Sequence, residues 1–273
     1  MNSFKIGHSY NSGDLISILP GLQKLWQETG RKSTIMQRLN LPSFFYDGAP
    51  VATANEEGQG VCMNTYMYQK LRPLIEAQDY IESFEVWEGQ QVDYNMDETR
   101  MARDVPMPAG EIHQWASAIF PELSCDLSVP WIKVFPISIC KTDRGHVAVG
   151  DKVLVNRTER YTNPYITYFF LKEYEEQLIF AGSERERDVF NKTWKLNLPY
   201  LLVDDFLELA RVYGSAHGFI GNQSFGFHIC DGIKVNRILE LCAQFPNTFI
   251  TGANGHAFYR QNSLEYYVKE MMK

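Results

Sequence analysis

An α/β fold of two doubly wound halves is what the sequence predicts, on three observations. Short apolar runs alternate with segments of helical periodicity along the 273 residues. A polar, glycine-containing stretch over 136–151 interrupts the alternation, which restarts at Lys152. Hydrophobic residues are 45% of the chain and aromatics 14%, enough for a sizeable core. The expected division is 1–140 and 141–273, joined through 136–151.

The elements follow in order. Phe4 to Tyr10 opens as a strand, and Asn11, Ser12 and Gly13 read as a turn. Leu15, Ile18, Leu19, Leu22, Leu25 and Trp26 then mark one buried helical face, with Pro20 a kink or a late start and Gly30 the stop. Ser33 to Arg38 is the next strand. Helical spacing recurs at Tyr66 to Ala77 and Glu111 to Phe120, and extended segments at Phe84 to Trp87 and Gln91 to Met96. In the second half Lys152 to Asn156 is a strand, Ile166 to Tyr174 a helix and Gln177 to Ala181 a strand. Ser183 with Glu186 forms a capping box for another helix. Phe206, Leu209, Ala210 and Tyr213 mark a further helix, His217 to Ile220 a short strand, and Gly221 to Gly226 a turn into a helix. Val235 to Leu241 is a strand, Gly252 to His256 a loop, and Ser263 to Met272 a closing helix that is a candidate to pack back on the first half.

Composition excludes several classes. A net charge of −7 argues against bulk phosphate neutralisation and leaves no strong nucleic-acid signature, with local basic patches still open. The longest apolar run, Tyr165 to Leu171, is too short to span a bilayer, and the opening residues carry no leader pattern. Five scattered cysteines without a C-x-x-C pair point away from a disulfide framework and from a zinc site. A soluble, cytoplasmic protein is expected.

The strongest local signal is Gly221-Asn222-Gln223-Ser224-Phe225-Gly226-Phe227-His228, between a strand and an amphipathic helix. Such a turn aims unpaired amides and the positive end of the helix dipole at one spot, which suits a diphosphate. An ordinary strand–helix turn capped by Asn222 or Ser224 reads the same way. Asn222 to Gly226 also approaches the nucleophile elbow of α/β-hydrolases, with Ser224 as nucleophile, but it lacks the first glycine and well-spaced partners. Neither half carries G-x-G-x-x-G after its first strand, which disfavours a nicotinamide enzyme.

The segment Phe206 to Leu239 resembles the donor site of the heptosyltransferases and related family 9 glycosyltransferases, whose turn has the form GN-D-[ST]-GP-x-H. Gly221, Asn222, Ser224 and His228 match it; Gln223 replaces the acid, Phe225 the glycine and Gly226 the proline. Ser12-Gly13-Asp14-Leu15-Ile16 with Leu19-Pro20-Gly21-Leu22 is similar to the family's opening pattern, and Asn156-Arg157 and Ile179 to Glu184 fall where its second domain begins and continues. Residues 40–110 match no motif.

The resemblance implies a GT-B fold, two Rossmann-like domains facing a cleft, and an inverting, metal-independent transferase. The sugar would pass from a nucleotide-diphospho-sugar to a glycan or other hydroxyl, with no cofactor. Asp14 is then the general base, with a helix first-turn acid as its other reading. His8, Ser12 and Gly13 complete the active-site loop. Arg157, Glu184, Asn222, Gln223, Ser224, Gly226 and His228 bind the donor. For Arg157 a surface arginine, and for Glu184 a plain capping motif, stand beside that role. Gln223 and Phe225 also keep open a non-catalytic nucleotide- or glycan-binding protein of the same fold.

Overall fold

The computed structural model describes residues 3–43, 53–101 and 110–273. The chain divides into two compact units, one of residues 1–127 with 131–133 and 205–207, the other of 128–130, 134–204 and 208–273.

The first unit contains β1 (Phe4–His8), α1 (Ser12–Thr29), β2 (Ser33–Gln37), α2 (Thr65–Glu76), β3 (Ile81–Val86), β4 (Tyr94–Asn95), α3 (Glu98–Met101) and α4 (Trp115–Ile119). Its strands pair in parallel in the order β3-β2-β1-β4. All five residues of β2 are buried, as a strand covered on both faces requires. The α1 stripe of Leu15, Ile18, Leu19, Leu22 and Leu25 lies in the core, and Gly30 ends the helix at φ 69°. Two expectations change here. Ser12 and Gly13 are the first residues of α1 rather than a turn, and α1 runs through Pro20 to Thr29 as one helix. Burial of both sides of the proline's turn outweighs the single hydrogen bond lost.

The second unit contains β5 (Ile139–Thr142), β6 (Gly145–Ala148), β7 (Val153–Asn156), β8 (Leu178–Phe180), α5 (Glu184–Trp194), β9 (Leu201–Leu202), α6 (Phe206–Ser215), β10 (Gly218–Asn222), α7 (Phe225–Ile233), β11 (Arg237–Glu240), β12 (Gly255–Phe258) and α8 (Gln261–Met271). Five strands form a parallel sheet in the order β12-β11-β10-β7-β8, and β6-β5-β9 form a small antiparallel sheet.

Several readings are corrected. The 136–151 stretch holds the β5–β6 hairpin, whose turn is Asp143-Arg144, with Gly145 opening β6 at φ 115°. Residues 169–177 are 3₁₀ turns instead of an α-helix. Gly255 and His256 begin β12 rather than lie in a loop. The closing helix α8 buries Leu264, Val268 and Met271 in the second unit's own core, with Val153, Phe180 and Ile238. Its helical period was legible; the partner for its apolar face was not.

Strand order places a switch point in each parallel sheet, between β1 and β4 and between β7 and β10, where successive strands add in opposite directions. Doubly wound sheets bind ligands in the crevice beyond the strand carboxyl ends at such points. At the far corner of the second sheet, Arg237 and Asp231 are fully buried and paired, Arg237 Nε to Asp231 Oδ1 at 2.6 Å. Arg237 also donates to the Ala253 carbonyl at 2.8 Å, which ties the β11 start to the loop before β12. Arg237→Met should cost about 3–5 kcal/mol by leaving the Asp231 charge short of its main partner, measured by chemical denaturation.

Candidate functional site

In the second unit the switch-point turn is shorter than its sequence suggests. Gly221 and Asn222 finish β10, Gln223 and Ser224 turn the chain, and Phe225 already begins α7. Ser224 is the helix cap, its Oγ accepting from Phe227 N at 3.3 Å and donating to Asn156 Oδ1 at 2.7 Å. Among the described residues no histidine side chain is hydrogen-bonded to that hydroxyl, so the nucleophile reading gains no geometry. Asn222 Oδ1 accepts from Thr158 N at 3.0 Å, and its Nδ2 donates to the Arg160 carbonyl at 2.6 Å. Gln223 does the same on the other side. Its Nε2 donates to the Phe245 carbonyl at 2.8 Å and its Oε1 accepts from Cys242 N at 2.9 Å. A carboxylate in this place could not donate to Phe245, which is a physical reason for an amide where the motif has an acid.

These side chains are therefore committed to the loops after β7 and β11. An incoming anion would meet the first amides of α7 and the dipole behind them. His228 lies buried in the first turn of that helix. Gly226 is a close-approach glycine, because a Cβ there would sit 2.6 Å from Tyr213 Oη and 2.9 Å from Asn156 Oδ1.

Arg157 follows β7 but turns to Glu240 at the end of β11. Nε and Nη2 bind the two carboxylate oxygens at 2.7 and 2.9 Å. Glu240 is wholly buried and also accepts from Tyr168 Oη and Asn163 N, both at 2.5 Å. Burial works against the Arg157 charge, yet Glu240 more than offsets it and holds the guanidinium pKa above its ordinary value. Glu184 is exposed at the first position of α5, 3.4 Å from Arg187. Ser183 and Glu186 make the capping box there, with Ser183 N donating to Glu186 Oε2 at 2.9 Å. Capping is the reading of this segment that the geometry carries.

The first unit holds a small cavity at its own switch point. Its volume is about 20 Å³, room for one water or hydroxyl, and His8, Tyr10, Asp14, Arg100 and Trp115 are among the residues lining it. Asp14 stands in the first turn of α1. Its Oδ2 accepts from Asn11 N and Nδ2, both at 3.2 Å, and its Oδ1 pairs with Arg100. The Arg100 guanidinium lies 4.5 Å from the Tyr10 ring centroid and 5.5 Å from that of Trp115. Burial raises the Asp14 pKa, but Arg100, His8 and the Asn11 hydrogen bond outweigh it, and the carboxyl titrates below its usual range. His8 ends β1, almost fully buried, with Nδ1 2.7 Å from Gln37 Oε1. Asp97, just past β4, accepts from Ser9 Oγ at 2.6 Å through Oδ2, while its buried Oδ1 has no partner among the described residues.

Of the residues picked from sequence, the structure thus gathers Asn222, Gln223, Ser224, Gly226 and His228 at one strand–helix junction, and His8 and Asp14 around one cavity. Ser12 and Gly13 contribute helix start, and Glu184 stands apart on α5. Arg100, Asp97, Gln37, Tyr10 and Trp115 were not singled out. No motif marks them; Asp97 and Arg100 come beside β1 because β4 pairs with it, and Gln37 because β2 does.

This is the doubly wound fold of the heptosyltransferase type, and the expected resemblance holds at the level of fold. The structure is similar to Escherichia coli ADP-heptose lipopolysaccharide heptosyltransferase II, with TM-score 0.65 and 10% identity over 100% of this chain and 98% of that one. It is similar to E. coli heptosyltransferase WaaC bearing ADP-2-deoxy-2-fluoro heptose, with TM-score 0.60 and 9% identity over 98% and 99%. The family 9 glycosyl transferase from Veillonella parvula DSM 2008 matches with TM-score 0.52 and 12% identity over 99% and 89%. No protein-family model matches the chain, and no curated protein matches it in sequence.

Gly226→Ala should lower stability by about 1–3 kcal/mol through overpacking against Tyr213 and Asn156. Tyr213→Phe in that background should restore part of the loss in thermal denaturation, because it removes the nearest atom.

Proposed function

We propose that the protein is a glycosyltransferase that moves a sugar from a nucleotide-diphospho-sugar to an acceptor hydroxyl, inverting the anomeric centre without a catalytic metal. The observation that supports it most is likeness of fold over nearly the whole chain to heptosyltransferases, one of them bearing an ADP-sugar analogue. In this reading residues 141–273 hold the donor and residues 1–140 the acceptor, the protein is cytoplasmic, and no cofactor takes part. No described helix is long and apolar enough to cross a membrane.

The leaving diphosphate lies at the start of α7, where backbone amides and the helix dipole spread its charge. Arg157 supplies positive potential at the β7 end, tempered by Glu240. The acceptor hydroxyl enters the His8–Asp14 cavity, whose volume suits one such group. In the transfer the acceptor oxygen bonds to the anomeric carbon as the bond from that carbon to the diphosphate breaks, and the hydroxyl proton goes to a base. Asp14 is the base that the resemblance implies, and His8 lines the same cavity. Glu184 at the ribose is the weakest of the donor assignments, given its place in the α5 cap.

A second reading, nucleotide binding without transfer, is favoured by one observation: Glu240 already pairs with Arg157, the cation assigned to the proposed diphosphate. Thermal denaturation in nucleoside diphosphates and nucleotide sugars tests both. A cognate ligand at 100 times its Kd should raise stability by about 2.7 kcal/mol. Stabilisation together with diphosphate release supports the transferase. Stabilisation without turnover supports the binding protein, and no stabilisation by any nucleotide overturns both.

A further inference from the structure

We propose that Arg100 is a positioning residue for the Asp14 carboxylate, holding Oδ1 so that a single acceptor position stays open on that oxygen for an incoming hydroxyl. This rests on the transferase reading with Asp14 as its base, and every group in it belongs to the first unit. An ionised carboxylate oxygen accepts two hydrogen bonds. Asp14 Oδ2 takes both of its own from Asn11, through N and Nδ2 at 3.2 Å each. Oδ1 accepts from Arg100 Nη2 alone among the described residues. The helix cap therefore fixes one oxygen, and Arg100 fixes the carboxylate plane about it. Asp14 and Arg100 both line the cavity, which takes one water-sized group.

Arg100 can do this because it is itself held. Its guanidinium lies between the Tyr10 and Trp115 rings, and its backbone is tied to the end of β1. Met96 N donates to the Gly7 carbonyl at 2.9 Å, Ser9 Oγ to Asp97 Oδ2 at 2.6 Å, and Arg100 N to the Asp97 carbonyl at 3.1 Å. These bonds and the β1–β4 pairing already join α3 to the loop that starts α1, so an ion pair that only braced the two would be redundant. Charge follows the geometry. Burial raises the Asp14 carboxyl, but Arg100, His8 and the Asn11 hydrogen bond bring it below its usual range. Burial likewise disfavours the Arg100 cation, and Asp14 more than offsets it. Four other titratable groups surround the pair. Burial keeps His8 on β1, Tyr10 in the loop and Cys62 before α2 neutral, with the Cys62 thiol pushed up to about 11. Asp97 before α3 adds a second negative charge.

The test uses the full chain with its aspartate carboxyls ¹³C-labelled, and a panel of ADP-heptose with ADP-, GDP- and UDP-hexoses, water serving as acceptor. The Asp14 resonance, assigned by its absence in Asp14→Asn, should titrate below the ordinary carboxylate range. Arg100→Gln should move that titration up by about 1 pH unit or more, since burial then acts on Asp14 without the opposing guanidinium. The rate needs the ionised carboxylate, so the acid limb of kcat for nucleoside diphosphate release should move up by the same amount. Above the limb, kcat should fall by about a hundredfold with KM for the nucleotide sugar unchanged, as expected of a carboxylate held out of line. Arg100→Lys should return the limb to its wild-type place but only part of the plateau, because an ammonium carries the charge without the planar fork. That variant and its spectra carry the test if Arg100→Gln does not fold. An Arg100→Gln that loses stability yet keeps the limb and the plateau makes Arg100 a brace and overturns the proposal. An Arg100→Lys with the full wild-type plateau overturns it too, and both results leave the transferase reading intact. An acid limb that survives in Asp14→Asn moves the base elsewhere and removes this role for Arg100, again with the transferase standing. A wild type that cleaves nothing on the panel overturns the transferase reading, and this role with it.

Discussion

A parallel sheet collects the ends of its strands along one edge and leaves their loops to find hydrogen bonds there. In the second sheet Asn222, Gln223 and Ser224 meet that demand. They are consecutive residues at the end of the central strand, and they reach outward in turn to the loop after β7, the loop after β11 and the cap of α7. Each is nearly or fully buried and fully occupied. The geometry of any ligand site at this edge depends on the clamp they make, because it fixes where the first amides of α7 point. Glu240 and Arg157 extend it to the 163–168 segment through Asn163 and Tyr168. Residues that look from sequence like ligand contacts are here hydrogen-bonded to the protein's own loops.

The first unit solves the same edge with charge. His8, Asp14, Asp97 and Arg100 converge where β1 and β4 end. Arg100 is held on three sides, by Asp14 and by the Tyr10 and Trp115 rings, which favours one arrangement over many. The desolvation that keeps His8 neutral also strengthens every interaction in the cluster. The cavity among these charges has room for one water-sized group.

Much of the architecture was legible in the chain, and the misreadings have physical causes. Leu15 to Leu25, Ser33 to Gln37 and Val153 to Asn156 read correctly because their burial writes a period of 3.6 or an unbroken apolar run. The β5–β6 hairpin was taken for a connection because Lys141 and His146 are exposed on a small sheet that buries little, and Asp143 and Arg144 form its polar turn. Phe169–Gln177 carries helical spacing, yet its turns tighten to 3₁₀ around the buried Leu171. Pro20 is a local breaker overridden by the core around it.

For the candidate site the division is sharper. Local sequence determined the strand–turn–helix at Gly221–His228, the capping box at Ser183 and the acid in the first turn of α1, since each depends on residues within one helical turn of one another. Which atoms of those residues are free depended on partners 19 to 83 positions away, such as Cys242 for Gln223, Thr158 for Asn222 and Glu240 for Arg157. The pairing of His8 with Gln37 and of Asp14 with Arg100, 29 and 86 positions apart, exists only because β2 and β4 flank β1. Periodicity and capping are local energies and can be read along a chain. The identity of a hydrogen-bond partner across a parallel sheet is set by strand order, and strand order is decided only when the whole core closes.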